Sequence, residues 1–360
     1  MVRPDVVSRC GGGQAQGMDR VVVTGAAGPL GRRVVELLRA RPEVGEVVGL
    51  DLHAAPGVVP TDLVTADLAA AFAGADAVFH LATAFGPRLV GPEIEEATDV
   101  TMARRVLDAA AAAGIPSLAL LSSATVYGPW ANNPVPLTEE APLRPHPDLS
   151  AAVQLAEVER LAAEWAADHP DAVVARLRPA PVVDDGRGGW LARALDAAAG
   201  VPTADDTPAQ FLHVADLAEA AVAVWQAGLA GPVNVAPTGW LTPTQRRALD
   251  PVPRVRLPEP IALKVAGWRW RAGLAAAPPG VLPYVRHPWV VANDRLVATG
   301  WEASSSNEEA YVAGHAASPI EQISPRRRQE LALGVTAAAG AVAVAVGVAA
   351  WRRRRRRRTA

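Results

Sequence analysis

The chain has 360 residues, half of them hydrophobic, and a formal net charge of −2, which allows one large or two moderate domains around a substantial core. That balance argues against nucleic acid as a general partner. The single cysteine, Cys10, excludes a disulfide framework and a cysteine metal site. Met1 to Gln16 has neither an apolar run nor the shape of a signal peptide. Met18 stands just before the first apolar stretch, so residues 1–17 read as a disordered leader.

Val21 to Val35, VVVTGAAGPLGRRVV, reads as strand, glycine-rich turn and helix, with Leu30, Val34 and Leu37 at helical spacing. Gly25, Gly28 and Gly31 stand three apart. They fit a tight exit from the strand, close backbone approach to a pyrophosphate, and close packing of helix on sheet. Pro29 suits a first helical turn, whose free N–H groups and positive dipole end face phosphates. A second strand, Val47–Leu50, ends in Asp51, 20 residues after Gly31. An acid there hydrogen-bonds adenosine ribose hydroxyls and repels a 2′-phosphate, so NAD is expected ahead of NADP. Arg32 and Arg33 are assigned to the solvated face of the helix.

Further strands are expected at about Leu63–Thr65, followed by Asp67-Leu68, at Ala77–Leu81, running into Ala82-Thr83, and at Leu118–Leu121. A helix from about Ile94 to Ala113 separates the last two. The fifth strand leads into Ser122-Ser123-Ala124-Thr125-Val126-Tyr127-Gly128. After a Pro-rich loop, Pro129 to Pro147, an amphipathic helix is expected over about Leu149 to Ala167, then a strand at Ala172–Leu177. This alternation is that of a doubly wound parallel sheet, a Rossmann-like α/β fold, over residues 18–185. From Gly186 to residue 318 the pattern loosens into short elements, with strands at Gln210–Val214 and Pro232–Ala236, as expected of a smaller substrate-covering region from which some strands return to the main sheet. No internal repeat is visible.

These motifs, in order, resemble the extended short-chain dehydrogenase/reductases of the NAD-dependent nucleotide-sugar epimerase/dehydratase type, over roughly Val21 to Ala310. Thr24–Gly31 matches the TGxxGxxG turn and Asp51 the ribose acid. Asp67 and Leu68 match the pair at the adenine, and His80-Leu81-Ala82 the strand-four motif beside the cofactor. Ser122–Gly128 resembles the stretch carrying the active-site Ser or Thr, here Ser123. Arg178-Pro179, Phe211–Leu217 and Gly300-Trp301 resemble later landmarks. The resemblance implies NAD as cofactor, held by Gly25, Gly28, Pro29, Leu30, Gly31, Asp51, Asp67, Leu68, Leu81, Ala82, Thr83 and Ser122. It also implies a nucleotide-sugar substrate and a homodimer through the two long helices.

The departures from the family pattern bear on chemistry. The family's Tyr-x-x-x-Lys pair lies at the start of the long helix, one helical turn apart and so on one face. Alignment on Ala156–Leu161 puts Ala151 and Leu155 at those positions; a slip of one gives Ser150 and Gln154. The three tyrosines are Tyr127, Tyr284 and Tyr311 and the one lysine is Lys264, so the motif occurs nowhere in the chain. Asp99 and Asp184 replace an Asn and a Gly of the pattern. The remaining candidates each have a structural alternative. Ser123 is a substrate-facing hydroxyl or a turn hydroxyl, and Tyr127 a proton donor or a packed ring. His146 with Asp148 is a substitute acid–base pair or a solvated loop, Asp184 with Asp185 a carboxylate pair or a turn, and His213 is read as structural. No metal-ligand spacing and no nucleophile–His–acid order is apparent.

After a linker, residues 319–330, Leu331 to Trp351 is a run of Ala, Val, Gly and Leu with Thr336 its one clearly polar residue, followed by Arg352–Arg358 in a poly-Arg tail, residues 352–360. At ~1.5 Å per residue this run is long enough for a bilayer core, and seven arginines favour anionic lipid. A cytoplasmic main domain attached to a membrane by this apolar helix is expected, although a single span would export the arginines against the positive-inside tendency. Two readings follow: an NAD-binding, catalytically atypical protein, or an active oxidoreductase or epimerase on a nucleotide-sugar or lipid-linked substrate with displaced acid and base groups.

Overall fold

The computed structural model describes residues 19–84, 98–199, 207–249 and 278–315, with a few isolated positions between 264 and 272. The leader, residues 94–97 of the expected helix, and the linker, apolar run and arginine tail lie outside the described residues. In chain order the first half holds β1 (Asp19–Thr24), α1 (Pro29–Arg39), β2 (Val44–Asp51), β3 (Val58–Pro60), α2 (Ala69–Phe72), β4 (Ala77–His80), α3 (Thr98–Ala113), β5 (Ser117–Leu121), α4 (Ser150–Asp168) and β6 (Val173–Pro179). Then come β7 (Val182–Asp184), β8 (Arg187–Gly188), α5 (Trp190–Ala199), β9 (Leu212–His213), α6 (Val214–Gln226), β10 (Gly231–Val235) and α7 (Pro243–Leu249).

The three valines of β1 set the layers. Side chains alternate across a strand, so Val21 and Val23 face one side and Val22 the other. All three are fully buried, each such side chain contributing about 1.5–3 kcal/mol. Val21 and Val23 share a core with Val34 and Leu38 of α1 and Leu217 and Ala221 of α6. Val22 shares one with Val106 and Leu107 of α3 and Val158 and Ala162 of α4. The sheet is therefore covered on both faces. Its order is β3-β2-β1-β4-β5-β6-β10 and its pairings are parallel. The order reverses between β1 and β4, where doubly wound folds open a crevice beyond the strand ends.

One element differs from expectation. The third strand is Val58–Pro60, paired with Gly49–Asp51 of β2. Leu63–Thr65 is instead a turn, because the Asp62 carboxylate accepts from the Val64 amide (2.9 Å) and the Thr65 hydroxyl (2.9 Å), an Asx-type bond that competes with a strand ladder. In the second half, β10 joins the main sheet beside β6, and α6 packs on α1. The small sheet β8-β7-β9 shares its core with Phe211, Leu241 and Tyr311. Among the described residues no helix is long and apolar enough to cross a membrane.

One buried ion pair ties α4 to the sheet. Glu159 is 1% exposed and receives Arg178 of β6 through Nε at 2.9 and 3.0 Å, with a further bond from Nη2. Removing one partner of such a pair strands the other charge, so Glu159→Ala is expected to cost about 3–5 kcal/mol in urea unfolding, and a Glu159→Leu/Arg178→Met double variant distinctly less.

At the end of β4, His80 is fully enclosed, with Nδ1 2.8 Å from the Thr24 hydroxyl, and burial pushes its pKa down to about 4. The unfolded chain then takes up this proton near pH 6.5 and the folded chain does not. Its contribution is fully present above pH 6.5 and is lost as pH falls toward 4, by about 3 kcal/mol. Denaturant midpoints measured against pH should show this slope for the wild type, and a shallower one for His80→Asn.

Candidate functional site

The glycine turn closes tightly on itself. Gly25 has φ +74°, a conformation that side chains rarely adopt, and a Cβ there would lie 2.7 Å from the Ala82 amide nitrogen. A Cβ on Gly31 would lie 2.1 Å from the Gly25 carbonyl oxygen, so α1 approaches the strand end only because residue 31 is glycine. Gly28 caps α1 in extended conformation without a side-chain bond, and Pro29 is the first helical residue. The amides of Leu30 and Gly31 are thus first-turn donors without a side-chain acceptor, the condition that draws a phosphate.

Asp51 closes the turn from the other side. Its carboxylate accepts from the Ala27 amide (3.0 Å) and the His53 amide (2.9 Å). The His53 ring nitrogen Nδ1 also lies 3.3 Å from this carboxylate, which leaves about one of a carboxylate's roughly four acceptor positions. Leu81 and Ala82 follow β4 against Gly25. The next residues are fixed from below: buried Asp99 at the start of α3 accepts from the Ala84 amide (2.7 Å) and from the Thr83 hydroxyl. Burial raises the Asp99 carboxyl above the usual carboxylate range. Asp67 accepts from the Ala69 amide (3.0 Å), and Leu68 between them is buried. Arg32 is exposed, whereas Arg33 is half-buried and pairs with Asp184 of β7 at 2.9 Å.

The strand-five candidates have their hydroxyls engaged. Ser122 donates to Glu159 (2.6 Å), and Ser123 accepts from the Thr125 amide (3.2 Å), capping the 3-10 turn Ala124–Tyr127. Tyr127 lies in the core: its hydroxyl accepts from Arg178 Nη1 (2.6 Å) and donates to the Asn234 side-chain oxygen (2.8 Å). Burial pushes its pKa up to about 12. At neutral pH the phenol stays protonated and held between two partners. The network continues to Glu139, which accepts from the Asn234 amide (3.0 Å). Of this network, Glu139, Glu159 and Asn234 were not singled out in the sequence, although Glu159 stands on the buried face of α4 with Ala151, Ala152, Leu155, Val158 and Ala162.

His146 Nδ1 lies 4.0 Å from Asp148 and its ring stacks on Trp130 with centroids 5.7 Å apart. Asp184, Asp185 and His213 converge, their ligand-type atoms within 4.8 Å of one another, but Arg33 already occupies Asp184 and His213 Nε2 lies 3.3 Å from Asp185.

Beyond the carboxyl ends of β5 and β6 opens a cavity, bordered by Ala124 and Ala180 at the strand ends and walled by Phe211, Tyr284, Trp289 and Tyr311. It lies at the edge of the sheet that carries the glycine turn, and its aromatic lining was not apparent from the sequence.

A doubly wound parallel sheet, a glycine turn at its switch point and an acid closing that turn define a dinucleotide-binding protein. The chain belongs to the NAD-dependent epimerase/dehydratase family, whose model matches residues 21–236. NAD is the cofactor of that family. A relative described as 3-diazoavenalumate denitrifying reductase, from Streptomyces sp., is 31% identical over 275 residues, spanning 69% of this chain and 88% of the relative. Among solved structures, a UDP-galactose 4-epimerase is similar at 23% identity and TM-score 0.58, covering 82% of this chain and 97% of that one. The UDP-glucose 4-epimerase of Thermus thermophilus in complex with NAD is similar at 21% and 0.59, with the same coverage. The UDP-N-acetylglucosamine 4-epimerase of Bacillus cereus is similar at 16% and 0.57, covering 82% and 98%. At these identities the structures bear on fold alone.

Gly31→Ala is expected to retain secondary structure by circular dichroism and to weaken dinucleotide binding at least tenfold, about 1.4 kcal/mol, in calorimetric titration, because the added methyl has to displace the Gly25 carbonyl or the first turn of α1.

Proposed function

We propose that the chain is an NAD-dependent reductase of atypical mechanism, in which the positions of the family's tyrosine and lysine are held by Ala151 and Leu155. The observation that carries this reading is the start of α4, where Ala151 and Leu155 are both buried and apolar, with Tyr127 engaged in the core. In this reading Gly25, Gly28, Pro29, Leu30 and Gly31 hold the pyrophosphate, Asp51 the adenosine ribose, and Asp67 and Leu68 border the adenine. Leu81, Ala82 and Thr83 line the crevice, with Thr83 positioned by Asp99.

What the bound dinucleotide supplies is hydride. A carbonyl acceptor leaves an alkoxide that a general acid has to protonate, the task of a tyrosine–lysine pair. A carbon bearing a diazonium group asks for no such donor: the new C–H bond forms as the C–N bond breaks, and dinitrogen leaves with the electron pair. The relative's description, a reductase that removes nitrogen from a diazo compound, agrees with a site of this composition. A nucleotide-sugar epimerase, the activity named for the structural neighbours, needs a proton taken from and returned to a sugar hydroxyl. The sequence adds two further parts to the reading: attachment to anionic lipid through Leu331–Trp351 and Arg352–Arg358, and pairing of two copies through α3 and α4.

Calorimetric titration is expected to show NAD and NADH binding and weaker NADP binding. With a carboxylated benzenediazonium ion, NADH oxidation should match dinitrogen release one to one, deuterium from C4-labelled NADH appearing on the ring carbon. Absence of dinucleotide binding, or interconversion of UDP-glucose and UDP-galactose, overturns the proposal.

A further inference from the structure

Three of the polar side chains that wall the cavity beside the strand ends, Tyr284, Trp289 and Gln210, have their polar atoms engaged. Tyr284 donates its hydroxyl to the Thr125 carbonyl (2.8 Å), and Trp289 donates its indole N–H to the Tyr284 carbonyl (2.7 Å). Gln210 spends its amide on backbone, donating to the Gly239 and Val291 carbonyls (2.8 and 3.0 Å) and accepting from the Val291 amide (2.8 Å). What these residues present to the cavity is therefore carbon. Tyr284 and Trp289 stand edge to face with centroids 5.2 Å apart, as do Phe211 and Tyr311 at 5.0 Å, and Leu195 and Val285 line the same cavity.

A nucleoside-diphosphate sugar would bring about two negative charges and several hydroxyls into such a site, and buried polar groups are costly unless each finds a partner. Among the described lining residues Arg246 is the only cation, and Asp196 stands in the same wall. A flat ring, in contrast, gains edge-to-face and stacking contacts with aromatic walls, about 0.5–1.5 kcal/mol per pair beyond burial. We infer that this cavity binds a planar aromatic substrate rather than a nucleotide sugar. The inference deepens the reductase reading and rests on it for the dinucleotide at the neighbouring strand ends.

The test is calorimetric titration of the full chain, preloaded with NAD, against three probes: 4-hydroxycinnamate, cyclohexanepropionate as a non-planar carboxylate of similar length, and UDP-glucose. The aromatic acid is expected to bind at least fivefold tighter than the cyclohexyl acid and at least tenfold tighter than UDP-glucose. Ala209 lines the cavity and is half-buried, so Ala209→Phe should fill space there and weaken 4-hydroxycinnamate at least tenfold while leaving NAD affinity unchanged. UDP-glucose binding as tightly as the aromatic acid, equal binding of the two acids, or an Ala209→Phe variant that binds both NAD and 4-hydroxycinnamate normally overturns the inference. If that variant does not fold, the three-probe comparison on the wild-type chain decides alone. If NAD does not bind, the cofactor reading fails, and the same comparison on the free chain still decides the cavity.

Discussion

The buried pair of Glu159 and Arg178 constrains everything near the carboxyl edge of the sheet. A carboxylate and a guanidinium taken out of water are tolerated only when their remaining hydrogen-bonding groups are also met. Here they are met by Ser122, by Tyr127 and by the Glu139 carbonyl, with Asn234 bonded to Tyr127 in turn. The consequence is that β5, β6, β10 and α4 are fixed to one another at their functional ends. Two hydroxyls that would be candidates for chemistry become parts of the scaffold. The Tyr127 ring lies under the Arg178 guanidinium, 4.8 Å from centroid to carbon, which adds attraction between cation and ring.

The glycine turn works by the opposite principle. Apart from the Asp51 carboxylate on the Ala27 amide, it depends on the absence of atoms. The close approach of residue 31 to the Gly25 carbonyl, and of Gly25 to Ala82, brings α1, β1 and β4 together at the point where the strand order reverses. A site that relies on missing Cβ atoms is preorganised without a folding cost in polar burial. The single acid that shapes it, Asp51, is held by backbone amides from both sides.

The fold was largely legible because its signals are local. Three valines before a glycine turn, apolar positions at helical spacing after it, and strands ending in small polar residues report the layers directly. The third strand was misplaced because Asp62 is a turn-former whose carboxylate outcompetes the weak strand preference of Leu63-Val64-Thr65. Glu159 was legible in principle: a charged residue at the spacing of Leu155 and Ala162 on one helix face requires a buried partner, and Arg178 is an arginine inside an apolar strand. The cavity was not legible, because Ala124, Ala180, Phe211, Tyr284 and Tyr311 come from separate stretches and meet only in three dimensions.

The chemistry that such a site can sustain follows from what it retains. A cradle for a dinucleotide keeps the capacity to hold a hydride donor, and an apolar cavity excludes the water that would otherwise solvate an acceptor. Ala151 and Leu155 at the start of α4 offer no proton. On the proposed reading, carbonyl reduction would develop negative charge on oxygen without a tyrosine–lysine pair to meet it, and the low polarity of the wall would make that charge more costly rather than less. A cationic acceptor reverses the sign of the argument. Hydride arriving at a diazonium-bearing carbon cancels charge instead of creating it, so a dry site with few compensating groups favours the neutral products. On the proposed reading, Ala151 and Leu155 in place of a tyrosine–lysine pair suit, on electrostatic grounds, a reaction in which two charges annihilate and a gas departs.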